Sequence, residues 1–352
     1  MKAVRVALIG AGGIAQAHLD VARQSASGVG GAPPAIEIVA IVEPDVARAK
    51  AAALKADTVA FARVGDLLDA STALSVDAAI VCTPPSTHSE IAVSCLEHGL
   101  HVLCEKPLAI DRAGAHRMLD AAARTGLRLT MASKFRYVDD MTQAKAVIES
   151  GELGDIVLYR NAFTSVVDMA DRWNSNPAVS GGGVIIDNGT HSIDIARYLL
   201  GPIRQVIAVE TRRVQPLAVE DTAQVLFRTD AAATGTIDLS WSLHTGSPWY
   251  VTVDGTKASL RLGWKTAEMF RNGEWVTVGS GYDKHLAFAA QLDDFAASVR
   301  GLREPIIDAN DMLASVAVID AAYRSIRTGA WVQVVEDRRR LEREPVLTRR
   351  AS

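Results

Sequence analysis

A carboxylate and an imidazole lie four positions apart, at Asp187 and His191, in a glycine-rich segment that spans residues 181–194. Side chains four apart in a helix share one face, so this spacing predicts that the carboxylate orients the imidazole ring. Histidine is the side chain whose ordinary pKa suits proton exchange near neutral pH. The spacing therefore indicates general acid–base chemistry, and the structural alternative is that Asp187 or Asn188 caps the helix.

A second candidate group is Lys106, which lies in the segment Cys-Glu-Lys-Pro-Leu at residues 104–108. An apolar run at residues 101–104 precedes it, so the lysine is predicted at the C-terminal end of a strand. Open α/β sheets bind their ligands at that edge. Packing does not readily explain a lysine there, although a single lysine is more often a solvated surface charge.

The chain also carries a turn that can hold a dinucleotide beside these groups. Residues 10–15, Gly-Ala-Gly-Gly-Ile-Ala, follow a predicted strand at residues 3–9 and precede a predicted helix. In that setting Gly10 permits the tight turn, Gly12 lets the backbone approach a pyrophosphate, and Ala15 allows close helix–strand packing. The phosphates then face the helix N-terminus. The residues predicted to contact the cofactor here are Gly10, Gly12, Gly13 and Ile14.

The second predicted strand, Ile36–Val42, is followed by Glu43. A carboxylate at this place can accept hydrogen bonds from the ribose hydroxyls of NAD and would repel the 2′-phosphate of NADP. The interval from the glycine turn is long, and a Gly/Pro/Ser-rich stretch at residues 25–35 is predicted to be a surface loop that accounts for the excess. The alternative for Glu43 is an acid at a helix N-terminus. NAD is favoured in either case, because no Arg or Lys follows before Arg48.

The segment Cys-Thr-Pro-Pro-Ser-Thr-His at residues 82–88 follows another predicted strand and opens a helix. It is therefore expected to border the nicotinamide half of the cleft. The alternative is a strand-to-helix turn without ligand contacts. The residues predicted to contact the cofactor in this segment and in the lysine segment are Thr83, Pro84, Pro85, His88, Glu105 and Lys106.

The elements that would position these groups follow from the apolar patterns. Strand-like runs alternate with alanine-rich helical segments in the N-terminal part, which predicts a doubly wound parallel sheet of the Rossmann type. Later stretches such as residues 236–243 are apolar at every second position, which predicts an α+β domain with a large, mostly antiparallel, open-faced sheet. The predicted division is a dinucleotide-binding domain at 1–134, a substrate and oligomerisation domain at 135–336 and a charged C-terminal tail at 337–352.

Composition excludes several kinds of partner. The 352 residues are 49% hydrophobic, and the formal net charge of −4 leaves no basic stripe for nucleic acid. No apolar run reaches membrane-spanning length, no secretory leader is recognisable, and the three cysteines include no Cys-x-x-Cys pair. We therefore expect a cytoplasmic protein that binds neither nucleic acid nor a membrane.

Four residues recur every three positions in a way that is similar to a zinc site. A helix stop at Gly99 should separate the first two from the last two, so no metal site is predicted. These residues are Cys95, His98, His101 and Cys104.

The glycine turn, the Glu-Lys-Pro segment and the Gly-Gly-Gly…Asp-x-Gly-x-His-x-x-Asp segment together resemble the Gfo/Idh/MocA family of sugar and polyol oxidoreductases. The resemblance extends to about residue 335. It implies that His191 exchanges the proton of a substrate hydroxyl while hydride passes between the substrate carbon and nicotinamide. It also implies that Lys106 hydrogen-bonds the same oxygen and that Asp187 positions His191 or the substrate. Asp194 lies on the same helical stripe, and its role stays open between structure and function.

Sugars require hydrogen-bond donors and an aromatic platform. Family resemblance and this chemistry together indicate donors after the predicted strand at residues 127–131 and before the triple glycine. The residues expected to contact the substrate are Lys106, Arg136, Arg172, Trp173, Asn188 and His191.

The resulting hypothesis is an NAD-dependent dehydrogenase, acting at a secondary carbon of a sugar, inositol, aminocyclitol or related polyol. The family resemblance also implies a homodimer or homotetramer that pairs through the open sheet. Two alternatives remain. One is an NAD-using glycosidase or deglycosidase that acts by transient oxidation. The other is a dinucleotide-binding sensor without chemistry, which the same fold supports.

Overall fold

The computed structural model describes residues 2–26 and 35–335. Most of the loop predicted at residues 25–35, and the tail predicted at residues 337–352, lie outside them. The N-terminal part contains a six-stranded parallel sheet in the order β3-β2-β1-β4-β5-β6. Its strands are β1 (Val4–Ile9), β2 (Ile36–Val42), β3 (Val59–Phe61), β4 (Ala78–Val81), β5 (His101–Glu105) and β6 (Leu129–Ala132).

Helices cover both faces of this sheet, so its central strands are continuous apolar runs. Local signals set the helix ends: the Asp111 carboxylate accepts a hydrogen bond from Gly114 N at 2.6 Å, and the helix ends at Gly126 in the left-handed conformation. The predicted Rossmann fold is confirmed. The helices are α1 (Gly13–Ala26), α2 (Val46–Ala56), α3 (Val64–Ala70), α4 (Pro85–Glu97) and α5 (Arg112–Thr125).

A second sheet of nine strands has the order β14-β13-β12-β11-β7-β10-β9-β8-β15. Every neighbouring pair is antiparallel except β7 and β10, which confirms the prediction of a mostly antiparallel sheet. Its strands are β7 (Ile156–Thr164), β8 (Ile203–Glu210), β9 (Thr222–Thr229), β10 (Thr234–Ser240), β11 (Trp249–Gly255), β12 (Ser259–Gly263), β13 (Ala267–Arg271), β14 (Glu274–Gly279) and β15 (Val332–Gln333).

Helices cover one face of the nine-stranded sheet. On β9, Ala223, Val225 and Phe227 are buried beneath them, whereas Gln224 and Arg228 point to the uncovered face. This alternation follows from the two-residue period of a strand. The helices of this part are α6 (Asp139–Glu149), α7 (Pro177–Ser180), α8 (Val184–Leu200), α9 (Lys284–Val299) and α10 (Ala309–Thr328).

The two late helices return to the first sheet. Phe288 and Phe295 of α9 are buried in one core with Leu8 of β1, and Met312 of α10 is buried in another with Met131 of β6. Helices that lie beyond the predicted division near residue 134 therefore contribute to the cores of the first sheet. Both helices also contribute residues to the core of the second sheet, so they connect the two sheets.

Candidate active site

A cleft of about 480 Å³ opens between the C-terminal edge of the parallel sheet and the covered side of the nine-stranded sheet. Most of the residues predicted from the sequence line it. From the cofactor group these are Gly12, Gly13, Ile14, Thr83, Pro85, Glu105 and Lys106, and from the catalytic and substrate groups Trp173, Asp187, Asn188 and His191.

The glycine turn has the geometry that a dinucleotide site needs. Gly10 has a φ of +94°, and a Cβ there would lie 2.8 Å from the carbonyl oxygen of Cys82. A Cβ on Gly12 or Gly13 would meet nothing within 4 Å, so both border open space. The N–H groups in the first turn of α1 have no partner within the helix. The turn thus presents free donors to the cleft, which fits a pyrophosphate.

Glu43 follows β2 and lies against this turn rather than open to the cleft. Its carboxylate accepts hydrogen bonds from Ala11 N at 2.9 Å and Asp45 N at 3.0 Å, and it pairs with Arg48 at 2.9 Å. Burial opposes ionisation, but the bonds from Arg48 and the two backbone groups outweigh it and hold the pKa of Glu43 below its ordinary value. The negative charge of Glu43 therefore lies directly beside the glycine turn at the edge of the sheet.

His88 is completely buried, and it does not line the cleft. Its two ring nitrogens each lie 2.8 Å from a backbone carbonyl oxygen, that of Thr83 and that of Pro107. The ring therefore connects the segment at residues 82–88, which was predicted to border the nicotinamide, to the segment at residues 104–108. His88 was expected to contact the cofactor, but in the structure it positions the two backbone segments that it connects. Pro84 and Gly10, also predicted as cofactor contacts, lie outside the cleft lining as well.

Lys106 and Asp187 form an ion pair across the cleft. The lysine nitrogen lies 2.5 Å from Asp187 Oδ1 and 3.1 Å from the Asp187 carbonyl oxygen. Both side chains are largely buried, which strengthens the pair. The expected orientation of His191 by Asp187 is not found: within the described residues no hydrogen bond joins the two, and His191 Nδ1 has no partner. The carboxylate holds the lysine instead, because a cation competes for it more strongly than a neutral ring.

His191 is the proton-exchanging candidate in the cleft. Burial, together with the positive charges of Lys106 and Lys134, holds the pKa of His191 well below its ordinary value. The imidazole is therefore neutral at physiological pH and able to accept a proton. Phe135 packs edge-on against the ring at 5.2 Å between ring centres, which fixes its orientation in place of a carboxylate.

Glu105 lies under the lysine segment. Its carboxylate is 2.9 Å from Nε2 of the buried His18 and accepts a hydrogen bond from Lys106 N at 3.2 Å. Burial opposes ionisation of this carboxyl, but the bond to His18 and the charges of Lys106 and Lys134 hold its pKa below the ordinary value. Glu105 is thus an ionised group whose closest contacts are within the protein.

Sequence reasoning missed Lys134, which lies in a short 3-10 turn after β6 and lines the cleft. Burial and repulsion from Lys106 lower its pKa to about 8. The signal that could have found it is positional, since it follows a parallel strand in the same way as Lys106. Trp264 and Tyr282 of the second sheet and its loops also line the cleft and were missed, because distant segments bring them there.

The structure places Arg136 away from the cleft, which corrects its prediction as a substrate contact. It is buried, pairs with Asp194 at 2.7 Å and with Asp311 at 2.6 Å, and so joins the turn after β6 to α8 and α10. This answers the open question on Asp194, whose carboxylate is committed to this pair. Arg172 is exposed and does not line the cleft either, whereas its neighbour Trp173 does.

The residues weighed as zinc ligands have other neighbours. Cys95 and Cys104 are buried as free thiols, His98 Nδ1 lies 2.7 Å from the Ser94 carbonyl oxygen, and His101 accepts a hydrogen bond from a backbone N–H. In residues 2–26 and 35–335, no group of three or more His, Cys, Asp or Glu side chains could hold a metal ion. No helix of that same part is both long enough and apolar enough to cross a membrane.

The sequence matches two family models. The model described as "Oxidoreductase family, NAD-binding Rossmann fold" matches residues 4–133, and the model "GFO/IDH/MocA C-terminal domain" matches residues 141–261. An inositol 2-dehydrogenase of Streptomyces avermitilis is 31% identical over 73% of this chain and 72% of its own length. The rhizopine catabolism protein MocA of Rhizobium meliloti is 26% identical over 92% of this chain and 95% of its own length.

A solved structure has the same architecture. Levoglucosan dehydrogenase, in complex with NADH and levoglucosan, gives a TM-score of 0.86 at 22% identity, over 95% of this chain and 100% of that chain. At this identity the similarity shows the fold. The two family models together span most of the chain and both parts of the cleft. This chain therefore belongs to the Gfo/Idh/MocA family of oxidoreductases, as the sequence motifs predicted.

Proposed function

We propose that this protein is an NAD-dependent dehydrogenase that interconverts a secondary alcohol and a ketone on a sugar, inositol, aminocyclitol or related polyol. The observation that carries the proposal is a neutral, buried imidazole at His191 in one cleft with the Lys106–Asp187 pair and the glycine turn. The relative named inositol 2-dehydrogenase supports a polyol as the substrate class.

The residues at the first sheet edge fit a dinucleotide. Gly12, Gly13 and Ile14 would hold the pyrophosphate at the N-terminus of α1, and Thr83 and Pro85 would border the nicotinamide. When bound, NAD supplies the hydride acceptor for the alcohol carbon. Glu43 holds a negative charge beside the glycine turn, where it would repel a 2′-phosphate, so we propose NAD rather than NADP as the cofactor.

The protein side chains then transfer the proton of the substrate hydroxyl. His191, neutral because of its lowered pKa, accepts the hydroxyl proton during oxidation and returns it during reduction. Lys106 donates a hydrogen bond to the same oxygen and stabilises its developing negative charge. Asp187 holds the lysine nitrogen 2.5 Å from its carboxylate and acts as its positioning residue.

The test is a screen of sugars, inositols, aminocyclitols and glycosides with NAD, following absorbance of the reduced cofactor. For any substrate found, His191→Ala is expected to lower kcat about 100-fold or more, because general acid–base catalysis typically contributes about 10²–10⁴-fold. NADH binding, measured by fluorescence, should be unchanged. His98→Ala serves as the matched control, because His98 is exposed at the end of α4.

Three results would contradict the proposal or favour an alternative. Full activity of His191→Ala would contradict the assigned proton exchange. Cleavage of a glycoside with tightly retained NAD and no net release of NADH would favour the glycosidase alternative. NADH binding without turnover of any substrate would favour the sensor.

Two further parts of the hypothesis remain proposals. The three buried free cysteines suit a reducing compartment, so we propose a cytoplasmic location, which cell fractionation would test. The uncovered face of the nine-stranded sheet suits pairing with a second copy of the chain, as a homodimer or homotetramer.

A further inference from the structure

Lys134 is a cation in the cleft that the proposed chemistry does not use. Its ammonium nitrogen lies 5.6 Å from the centre of the Phe135 ring, 6.0 Å from that of Tyr282 and 5.6 Å from that of Phe288. The Phe135 ring also packs against His191, which lines the same cleft. Aromatic faces attract a cation. The ammonium is therefore held close to the proton-exchanging group and open to the cleft.

This ammonium has no acidic partner of its own. Among the described residues, no carboxylate pairs with Lys134, and the two acids that act on it are engaged elsewhere. Glu105 is bonded to a buried histidine at 2.9 Å, and Asp187 is paired with Lys106 at 2.5 Å. Lys284 adds a third positive charge nearby. Among the described residues neither carboxylate is hydrogen-bonded to Lys134, so its ammonium keeps unused donors at the cleft.

An ammonium withdrawn from water is stabilised most by an anion. A charge-assisted hydrogen bond is roughly twice as strong as one between neutral groups, so a carboxylate gains more from this position than a hydroxyl does. Burial and repulsion from Lys106 lower the pKa of Lys134, and the same anion would offset both effects. The pyrophosphate of the cofactor is an unsuitable partner, because its place is the N-terminus of α1 at Gly12 and Gly13.

We propose that Lys134 binds a carboxylate carried by the substrate, so that the enzyme prefers a sugar acid or polyol acid to the corresponding neutral compound. This inference rests on the proposed dehydrogenase function. In this arrangement His191 and Lys106 face the alcohol that reacts, and Lys134 fixes the acidic end of the same molecule. Lys134 is a specificity-determining residue for the reaction, and its charge selects the substrate class.

The test compares matched acid and neutral pairs: D-glucuronate with D-glucose, D-galacturonate with D-galactose, and D-gluconate with D-glucitol. For the preferred pair, the wild type is expected to show a kcat/KM at least about tenfold higher for the acid. Lys134→Met should remove this preference, mainly by raising KM for the acid. The readout is the ratio of kcat/KM for the acid to that for the neutral compound, in which an effect of Lys134 on His191 cancels. Lys134→Arg should retain the preference, because a guanidinium also binds a carboxylate.

The matched control is Lys284→Met, which removes a neighbouring positive charge from an exposed side chain outside the cleft lining. It should leave the preference within about threefold of the wild type. The pH profile gives a second readout. Because a carboxylate binds the protonated lysine, kcat/KM for the acid should fall as pH rises through about 8, and Lys134→Met should lose that step.

A binding arm separates this inference from the proposed function. Calorimetry with the NADH complex measures affinity for the acid and for its neutral partner without any turnover. Tighter binding of an acid by the wild type than by Lys134→Met would support the role of Lys134, even if no compound is oxidised. Absence of oxidation would count only against the proposed dehydrogenase function. Equal affinity for acids and neutral compounds, or weaker NADH binding by Lys134→Met, would overturn the role of Lys134.

Discussion

At the scale of single residues, Glu43 has two partners, and each interaction depends on a different property of its carboxylate. Its carboxylate accepts the Ala11 N–H and so secures the glycine turn, and it also pairs with the largely exposed guanidinium of Arg48. The first contact needs only a hydrogen-bond acceptor, whereas cofactor selection by repulsion of a 2′-phosphate needs the negative charge. Removing the charge while keeping the acceptor separates these two roles.

Glu43→Gln is therefore expected to raise the ratio of kcat/KM for NADP to that for NAD by about tenfold or more. Repulsion of the phosphate is lost, and Arg48 is released to meet it. The amide oxygen can still accept from Ala11 N, so the protein should remain folded. Adding Arg48→Met to Glu43→Gln should cancel most of the gain. An unchanged cofactor ratio in Glu43→Gln would contradict the role assigned to this carboxylate.

At the scale of elements, α8 carries Asp187 and His191, and the chain around its N-terminus explains how it is held. Gly183 N and Ile185 N each donate to the Glu220 carboxylate at 3.1 Å. A Cβ on Gly183 would come within 2.0 Å of the Glu220 carbonyl oxygen. The third glycine of the motif is therefore needed for close approach, which fixes the direction of α8 into the cleft.

The buried pair between Arg136 and Asp194 ties α8 to the turn after β6. Arg136→Met should lower the free energy of unfolding by about 3–5 kcal/mol, because it leaves the Asp194 carboxylate buried without its partner. Urea denaturation measures this change. Adding Asp194→Asn should recover part of the loss.

Arg124→Met is the matched control, since Arg124 forms an exposed ion pair with Glu97 on the helices of the first sheet and should cost only about 0–1 kcal/mol. If Arg136→Met were as stable as this control, the pair would not join the elements as described. Retained NADH binding in Arg136→Met, at a temperature where it is folded, would separate this structural role from a role in the cleft.

At the scale of the whole molecule, the nine-stranded sheet leaves one face uncovered. Register places Ile207 of β8 beside Leu226 of β9 on that face, and both are only half-buried. Val209, two positions along β8, is 55% exposed. An apolar patch on an open sheet is typical of an interface. This patch supports the proposal that two copies pair through it.

Light scattering should give the wild type a mass of two or four times 37.5 kDa. Leu226→Glu should shift the mass towards one chain, because burying an unpaired carboxylate in an apolar interface is costly. Leu54→Glu is the matched control. Leu54 is 86% exposed and lies on α2, a helix of the six-stranded sheet and not of the nine-stranded one. A monomeric wild type, or an unchanged mass for Leu226→Glu, would contradict pairing through this face.

The sequence by itself determined the elements and the edge at which the site lies. Strand and helix periods predicted β1, β2 and the alternation that follows them, because side-chain burial repeats with local geometry. They did not predict β3, β12, β13 or β15. Motif position also placed Lys106 and the glycine turn correctly at the C-terminal edge of the parallel sheet, since parallel strands share that edge.

Only the tertiary structure decided which side chains meet. The four-residue spacing predicted that Asp187 would orient His191, but a lysine from the first sheet reaches that carboxylate at 2.5 Å. Arg136 was expected in the cleft and is held by acids from two later helices. Lys134 was not singled out, although it faces the cleft without an acid of its own. Packing between distant segments decides which charged side chains become partners. A shift of a few ångströms is enough to change which interaction is the stronger one.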